Sequence, residues 1–347
     1  MTERRRARPS RPQPRRRAAR PISALGVVVA GLLAAGCASI PFVGRGRTEF
    51  WGFTAPWDAR SAASAIRHAD ALDAVVTGWT TFDTVTGRPY ALFADSTANR
   101  AAAGRRRLML VTSYAGDRFH PQTVLALAAS APILADAAGT IARAAQGGGF
   151  RGLVLDLEAH AAPDVGQLVL VVKAIADSAR ARGVRPVVVA VPAGDTAAYP
   201  SRALLDAGAD QLLVMLYDEH WASSPAGPIA SPEWVGQRLA ARIADVGPDR
   251  LVAGLPLYGY HWRRDGVTDV VSFDDARRIS TTIGVPLTRE PSSGTLRAVS
   301  ADSSQLWVTD AELLATLVDE VRRSGVRTIS LWRLGLEDPA VWTTVVR

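Results

Sequence analysis

An alternation limits what this chain can fold into more than any other feature. Eight apolar runs of seven to nine residues recur along it. They are EFWGFTAPW (49–57), LDAVVTGW (72–79), RLMLVTSY (107–114), RGLVLDLE (151–158), PVVVAVP (186–192), QLLVMLYD (211–218), RLVAGLPLY (250–258) and RTISLWRL (327–334). Between most of them lie Ala/Leu/Arg-rich segments with helical spacing, clearest at 121–145, 164–183, 232–245 and 310–324. Pro121 and the Ser-Pro-Glu of 231–233 suit first turns, Asp310 suits an N-cap, and Gly183 and Gly325 suit helix ends. Strands that alternate with helices require a parallel sheet covered by helices. Eight such units predict an α/β fold of the closed (β/α)8 TIM barrel type, with an open doubly wound sheet as the alternative. A barrel collects its chemistry at the C-terminal ends of its strands. The runs end accordingly, in or near Trp57, Trp79, Tyr114, Asp156 with Glu158, Tyr217 with Asp218, Tyr258 and Trp332.

Two connections exceed an ordinary loop. Residues 80–106, with TGRP inside, read as a hairpin excursion after the second strand. Residues 259–309 read as a small insertion before the last helix and strand, walling one side of the cleft.

The fourth run, RGLVLDLEAH, holds the main puzzle. Alternate strand residues share a face, so Leu153, Leu155 and Leu157 point one way and Val154, Asp156, Glu158 and His160 the other. Two acids separated by about 7 Å along an otherwise apolar strand are costly unless they are used or paired.

The first 20 residues carry nine Arg and one Glu, a charge of +8, against +7 for the whole chain. The remainder is therefore near −1, and the basic balance gives no reason to expect a nucleic-acid partner. ISALGVVVAGLLAAGC follows, too short to span a membrane comfortably and ending in small residues before Cys37, the only cysteine. This resembles a bacterial lipoprotein signal (1–37) with Cys37 as the lipidated residue, although Leu33 and Ala34 depart from the commonest box. An uncleaved signal anchor is the rival; the leading arginine pair lacks the rest of a twin-arginine motif. Residues 38–47 read as a tether before one domain over 48–347. The expectation is an exported chain, lipid-anchored to the bacterial envelope and facing the periplasm or cell surface, with the outer membrane the expected host.

GLVLDLE, VMLYDEHW, GLPLYGYHW and ISLWRLGLED, in that order, make the chain resemble glycoside hydrolase family 18, the chitinase-like barrels. The likeness is greatest to the spore-cortex and envelope hydrolases. It runs over most of 49–342, and the ordered set is far more specific than any one motif. The resemblance implies a glycosidase that cleaves β-1,4 bonds beside N-acetylglucosamine-type sugars with retention. In that scheme the substrate's own acetamido oxygen is the nucleophile. It implies Glu158 as general acid, Asp156 as its partner and Tyr217 as donor to the acetamido oxygen. It further implies Asp218 as a sugar ligand and Trp332 as the floor, with Trp57, Trp79, Tyr258, Trp221 and Trp262 as further sugar contacts. No cofactor or metal is implied, the partner is a polysaccharide of N-acetylated sugars, and a monomer is expected. The chain departs from the family pattern at Arg151 and Val154, where acidic or amide residues are usual, and at His261, where the branch has Asp.

Other readings compete. Asp156 and Glu158 could form a buried ion-pair network with an arginine. Asp156, Glu158 and His160 could bind a metal opposite Asp218, Glu219 and His220. The barrel could also bind carbohydrate without cutting it, a reading that the loss of polar support at Val154 favours and the presence of Glu158 opposes.

Overall fold

The computed structural model describes residues 47–92, 97 and 104–346. The leader, Cys37 and most of the tether lie outside the described residues. Eight parallel strands close on themselves: β1 (Glu49–Phe53), β2 (Ala74–Phe82), β4 (Arg106–Thr112), β7 (Gly152–Asp156), β8 (Val187–Pro192), β9 (Gln211–Met215), β10 (Leu251–Pro256) and β16 (Thr328–Trp332). Closure is made by β1, which pairs with β16 on one side (Trp51 opposite Ser330) and β2 on the other (Trp51 opposite Ala74). The fold is the (β/α)8 barrel, and no edge is left in the eight-stranded ring.

The period-two alternation sorts the core into two layers. Inside the ring, Trp51, Ala74, Val76, Leu108, Leu110, Val154, Val188, Leu213 and Val252 pack together. Outside, Leu153, Leu155 and Leu157 join the larger core between strands and helices. Each is fully buried, which stabilises the fold by about 1.5–3 kcal/mol per leucine. The helix Val165–Arg180 covers this layer with Leu168, Val171, Val172, Ile175, Ala176 and Ala179, a stripe at helical spacing.

Three details differ from the sequence reading. The strands are shorter than the apolar runs, so Glu158, Tyr217, Asp218 and Tyr258 lie just beyond their ladders. The helix expected over 121–145 is broken into Pro121–Ala128 and Ala131–Gly147, bent by 116°. Pro132 supplies the reason: it has no N–H to donate to the Ala128 carbonyl four residues back, and its ring crowds that carbonyl. One helix therefore ends there and the proline takes a first-turn place in the next. Within β2 the register slips between Thr77 and Thr80 at Gly78, whose φ is +67°. This bulge turns Trp79 into the barrel interior.

After β2, the strand β3 (Pro89–Ala91) returns antiparallel along it. A short hairpin of β5 (Tyr114–Ala115) and β6 (Arg118–Phe119) follows β4. Residues 259–309 build a lobe whose sheet runs β12 (Thr268–Val271), β11 (Gly259–Trp262), β15 (Gln305–Val308), β14 (Leu296–Val299), β13 (Thr288–Arg289). One helix, Phe273–Ile283, packs on it, capped by a reciprocal Ser272–Asp275 box.

The lobe meets the barrel at Gly259, where a Cβ would lie 2.2 Å from the Trp307 carbonyl oxygen. Backbone cannot move aside as a side-chain tip can. Gly259→Ala is therefore expected to part β11 from β15 and cost about 1–3 kcal/mol in urea unfolding, the range for overpacked sites. A wild-type midpoint would contradict so close an approach of the two strands.

Candidate active site

The mouth of the barrel holds a cavity of about 790 Å³. Asp156, the last residue of β7, pairs in register with Thr112 of β4, whose hydroxyl donates to an Asp156 carboxylate oxygen at 3.2 Å. Glu158 keeps the same inward face, and its carboxyl hydrogen-bonds that of Asp156. Burial pushes the Asp156 carboxyl up to about 6, against the opposing pull of hydrogen bonds from Glu158 and Thr112. Burial, and then the charge of Asp156, hold Glu158 well above the usual carboxylate range. Glu158 is thus the proton holder and donor of the pair, while Asp156 is the acceptor. A protonated acid against an ionised one is the arrangement that acid catalysis near neutral pH needs.

His160 does not share this face. Ala159 takes a left-handed φ of +64°, which ends the alternation and sends the imidazole into a buried site beside Tyr199. Among the described residues no group of three or more His, Cys, Asp or Glu side chains is placed to hold a metal ion. Glu219 turns away to cap Ser231, and His220 bonds the Pro228 carbonyl. Nor does an arginine side chain hydrogen-bond or ion-pair with Asp156 or Glu158 among the described residues.

Past β9, Tyr217 points into the cavity and Asp218 adopts φ +59°, a conformation that aspartate tolerates better than most residues. Tyr258 and Tyr260 both donate to the same Asp218 oxygen, Tyr260 at 3.0 Å. Burial nevertheless raises Asp218, because it outweighs those two bonds. Trp332, at the end of β16, stacks on Tyr217 with ring centres 6.3 Å apart and planes 16° apart.

These rings form one continuous array. Trp57 meets Trp79 edge-on at 4.8 Å, Trp79 lies 6.3 Å from Trp332, and beyond Tyr217 the order is Tyr258, Tyr260, Trp262 at 6.4, 5.5 and 5.2 Å. Only part of it faces the cavity, which Trp57, Trp79, Tyr217 and Trp332 line. Tyr258 is a correction to the sequence reading: it is buried behind the wall and holds Asp218. Trp262 packs on Tyr260 outside the cavity lining. Trp221 is half exposed on a loop, its indole N–H donating to Ser223. Neither reaches the central cavity.

The structure also brings in Phe119 and Trp234, which sequence reasoning missed. Tyr114, read as a strand end, and Phe119 of the β5–β6 hairpin, edge-on at 5.3 Å, form one wall, and Trp234 forms another. Trp234 occupies the first turn of the helix Pro232–Val246, the end of a barrel helix nearest the mouth, which is the signal that marks it. Thr112 was legible as the next inward position after Leu108 and Leu110.

Fold and site together define a helix-covered eight-stranded barrel with a hydrogen-bonded carboxyl pair in an aromatic-lined mouth. No family model matches the chain. It is similar to a chitinase from Chromobacterium violaceum, with TM-score 0.76, 24% identity, and coverage of 86% of this chain and 98% of that one. It is also similar to the spore cortex-lytic enzyme of Bacillus cereus, with TM-score 0.77, 17% identity, and coverage of 86% and 74%. Among curated proteins it is 25% identical over 208 residues to a putative sporulation-specific glycosylase of Bacillus subtilis, covering 56% of this chain and 49% of that one. The matched stretches span between a third and a half of the curated relatives' own lengths. The structural likeness establishes the barrel.

The raised carboxyls have a thermodynamic consequence. In the unfolded chain both ionise at about pH 4, whereas in the folded chain they keep their protons to higher pH. The folded state then binds more protons than the unfolded one over that interval, so stability falls as pH rises through it. Below about pH 4 both states are protonated and the cost vanishes. Glu158→Gln removes one of the two groups. Its Tm should exceed that of wild type by a few degrees at pH 8 and match it at pH 4 in scans followed by circular dichroism. An equal difference at both pH values would contradict the shifts.

Proposed function

We propose that this chain is a glycoside hydrolase that cleaves β-1,4 linkages beside N-acetylglucosamine-type sugars in a cell-envelope or chitin-like glycan. The observation that carries this reading is the buried, hydrogen-bonded carboxyl pair of Asp156 and Glu158, both pushed up by burial, in one cavity with Trp332. The names of the similar proteins, a chitinase, a cortex-lytic enzyme and a glycosylase, support it.

In this mechanism the sugar at the reacting position rests on the Trp332 indole, whose face suits the apolar face of a pyranose. Glu158 gives its proton to the glycosidic oxygen as the bond to the anomeric carbon breaks. The acetamido oxygen closes on that carbon from the opposite side, forming a cyclic cation. Asp156 accepts the acetamido N–H and offsets the positive charge, and Tyr217 donates its hydroxyl to the acetamido oxygen. Burial keeps that phenol protonated, which the role requires. Glu158, now a carboxylate, takes a proton from water, and the hydroxide opens the ring with net retention. Asp218, fixed by Tyr258 and Tyr260, holds sugar hydroxyls nearby. No cofactor takes part.

The direct test is to incubate the chain (residues 38–347) with N-acetylglucosamine oligomers and with purified peptidoglycan, and read the products by mass spectrometry. Glu158→Gln should lower hydrolysis by about 10²–10⁴-fold, the usual worth of general acid catalysis, while oligosaccharide binding survives. A thiazoline analogue of the cyclic intermediate should inhibit, and Asp156→Ala should weaken it more than it weakens plain oligosaccharide. Cleavage of a de-N-acetylated substrate at the same rate would exclude the acetamido nucleophile. Binding without cleavage in every assay would leave the non-catalytic carbohydrate-binding barrel.

We also propose that the chain is exported and lipid-anchored through Cys37, a reading supported by the Arg-rich start, the short apolar run and the small residues before that cysteine. Cys37→Ser should leave an unprocessed precursor, while wild type partitions into detergent. Equal processed sizes for the two forms would refute the anchor.

A further inference from the structure

The residue that follows the acid is held in an unfavourable conformation by a side chain from another loop. Ala159 is exposed and left-handed, at φ +64°, where an alanine Cβ is crowded. An exposed methyl group has too little packing to impose that geometry. The Tyr199 hydroxyl, however, bridges the residues on either side of Glu158 and Ala159. It donates to the Leu157 carbonyl at 3.0 Å and accepts the His160 N–H at 3.2 Å. Tyr199 is itself buried, and its ring meets that of His160 edge-on.

Tyr199 is fixed in turn by Arg242, the fully buried arginine of the helix Pro232–Val246. One terminal nitrogen of Arg242 donates to the Tyr199 carbonyl at 2.7 Å and to the Ser201 hydroxyl at 3.1 Å. The other donates to the carbonyls of Pro192 at 2.9 Å and Asp195 at 3.1 Å. A planar guanidinium presents several donors in a rigid fork, so four bonds to one loop fix its shape. That loop begins with Pro192, Ala193 and Gly194, which line the cavity.

We propose that Tyr199, anchored by Arg242, is a positioning residue that sets the aim of the Glu158 carboxyl by clamping the Leu157–His160 turn. The inference rests on Glu158 being the acid. The groups that face Glu158 are Asp156 on its own strand, Tyr217 and Asp218 after β9, and Tyr199 after β8. Releasing the turn leaves Glu158 more exposed to solvent and turned away from Asp156, and both changes favour its ionised form.

The test compares wild type, Tyr199→Phe and Ala159→Val as full chains. Tyr199→Phe keeps the ring and deletes the bridge. Ala159→Val strains the same turn at an exposed site, because a β-branched residue resists a positive φ, and it carries the test alone if Tyr199→Phe does not fold. Carbon-13 NMR titration, with the Glu158 signal assigned by its loss in Glu158→Gln, should show the carboxyl titrating at lower pH in both variants. With N-acetylglucosamine oligomers, kcat should fall by about 10²-fold, the cost of a misplacement of about 1 Å, and KM should hold within about twofold. The alkaline limb of the pH profile should move down with the titration. An unchanged titration in the folded variants overturns the proposal, as does unchanged kcat where wild type is active. A wild type that cleaves nothing through Glu158 defeats the hydrolase reading instead, and the titration still decides this one.

Discussion

The alternation of side chains along β7, inside a ring that has no edge, is the constraint from which the site follows. Leu153, Leu155 and Leu157 bind the strand to the helix layer, and their burial fixes which face is outward. Val154, Asp156 and Glu158 then have only the barrel interior to occupy. Deep in the barrel a carboxyl would be stranded among Leu110, Val188 and Leu213. At the mouth it meets a hydroxyl, a second carboxyl and a cavity. A one-residue slip of β7 would bury both acids against the helices, so register and chemistry are specified by the same three leucines.

The electrostatics follow from that placement. Asp156, Glu158 and Asp218 share one barrel mouth, and burial is the leading cause of the raised pKa for all three. Two ionised carboxyls in contact would repel strongly at low dielectric, so one proton shared between them is the favoured state. The aromatic array around them keeps the dielectric low and offers flat apolar faces at Trp57, Trp79 and Trp332. Tyr258, buried behind those faces, contributes through its hydroxyl alone, by holding Asp218 in its left-handed turn.

Much of this was legible in the sequence, for identifiable reasons. The eight runs were readable because strands buried on both faces are continuous apolar segments, and Asp156 and Glu158 stood out as the two acids on one of them. Trp332 and Tyr217 were readable as strand-end positions. What escaped depends on contacts between distant segments. Trp79 ends a run, but its inward aim comes from the bulge at Gly78, which Phe150 packs against. His160 obeys the period-two rule on paper and leaves the face because Ala159 breaks the alternation. Tyr258 looked like a sugar contact, since no one-dimensional pattern records that its hydroxyl is taken by Asp218. Trp221 and Trp262 sit in the same aromatic-rich motifs yet lie outside the central cavity, on a loop and on the lobe. The break before Pro132 is local, yet the reading of 121–145 as one helix passed over the proline that causes it.

The departure at Val154 shows how the interior layer and the site constrain each other. A polar residue there would give Asp156 a partner deeper in the barrel, and two orientations to choose between. Val154 instead completes an apolar layer with Leu110 and Val188, which flank it in register on β4 and β8. Asp156 is left with Thr112 across the ladder and Glu158 above it. Both partners lie toward the mouth, and the valine layer beneath offers neither donor nor acceptor. Turning Asp156 inward would surrender two hydrogen bonds for none, a loss of about 1–3 kcal/mol for each buried polar group left unpaired. The carboxylate therefore stays directed at the cavity, held between Thr112 and Glu158.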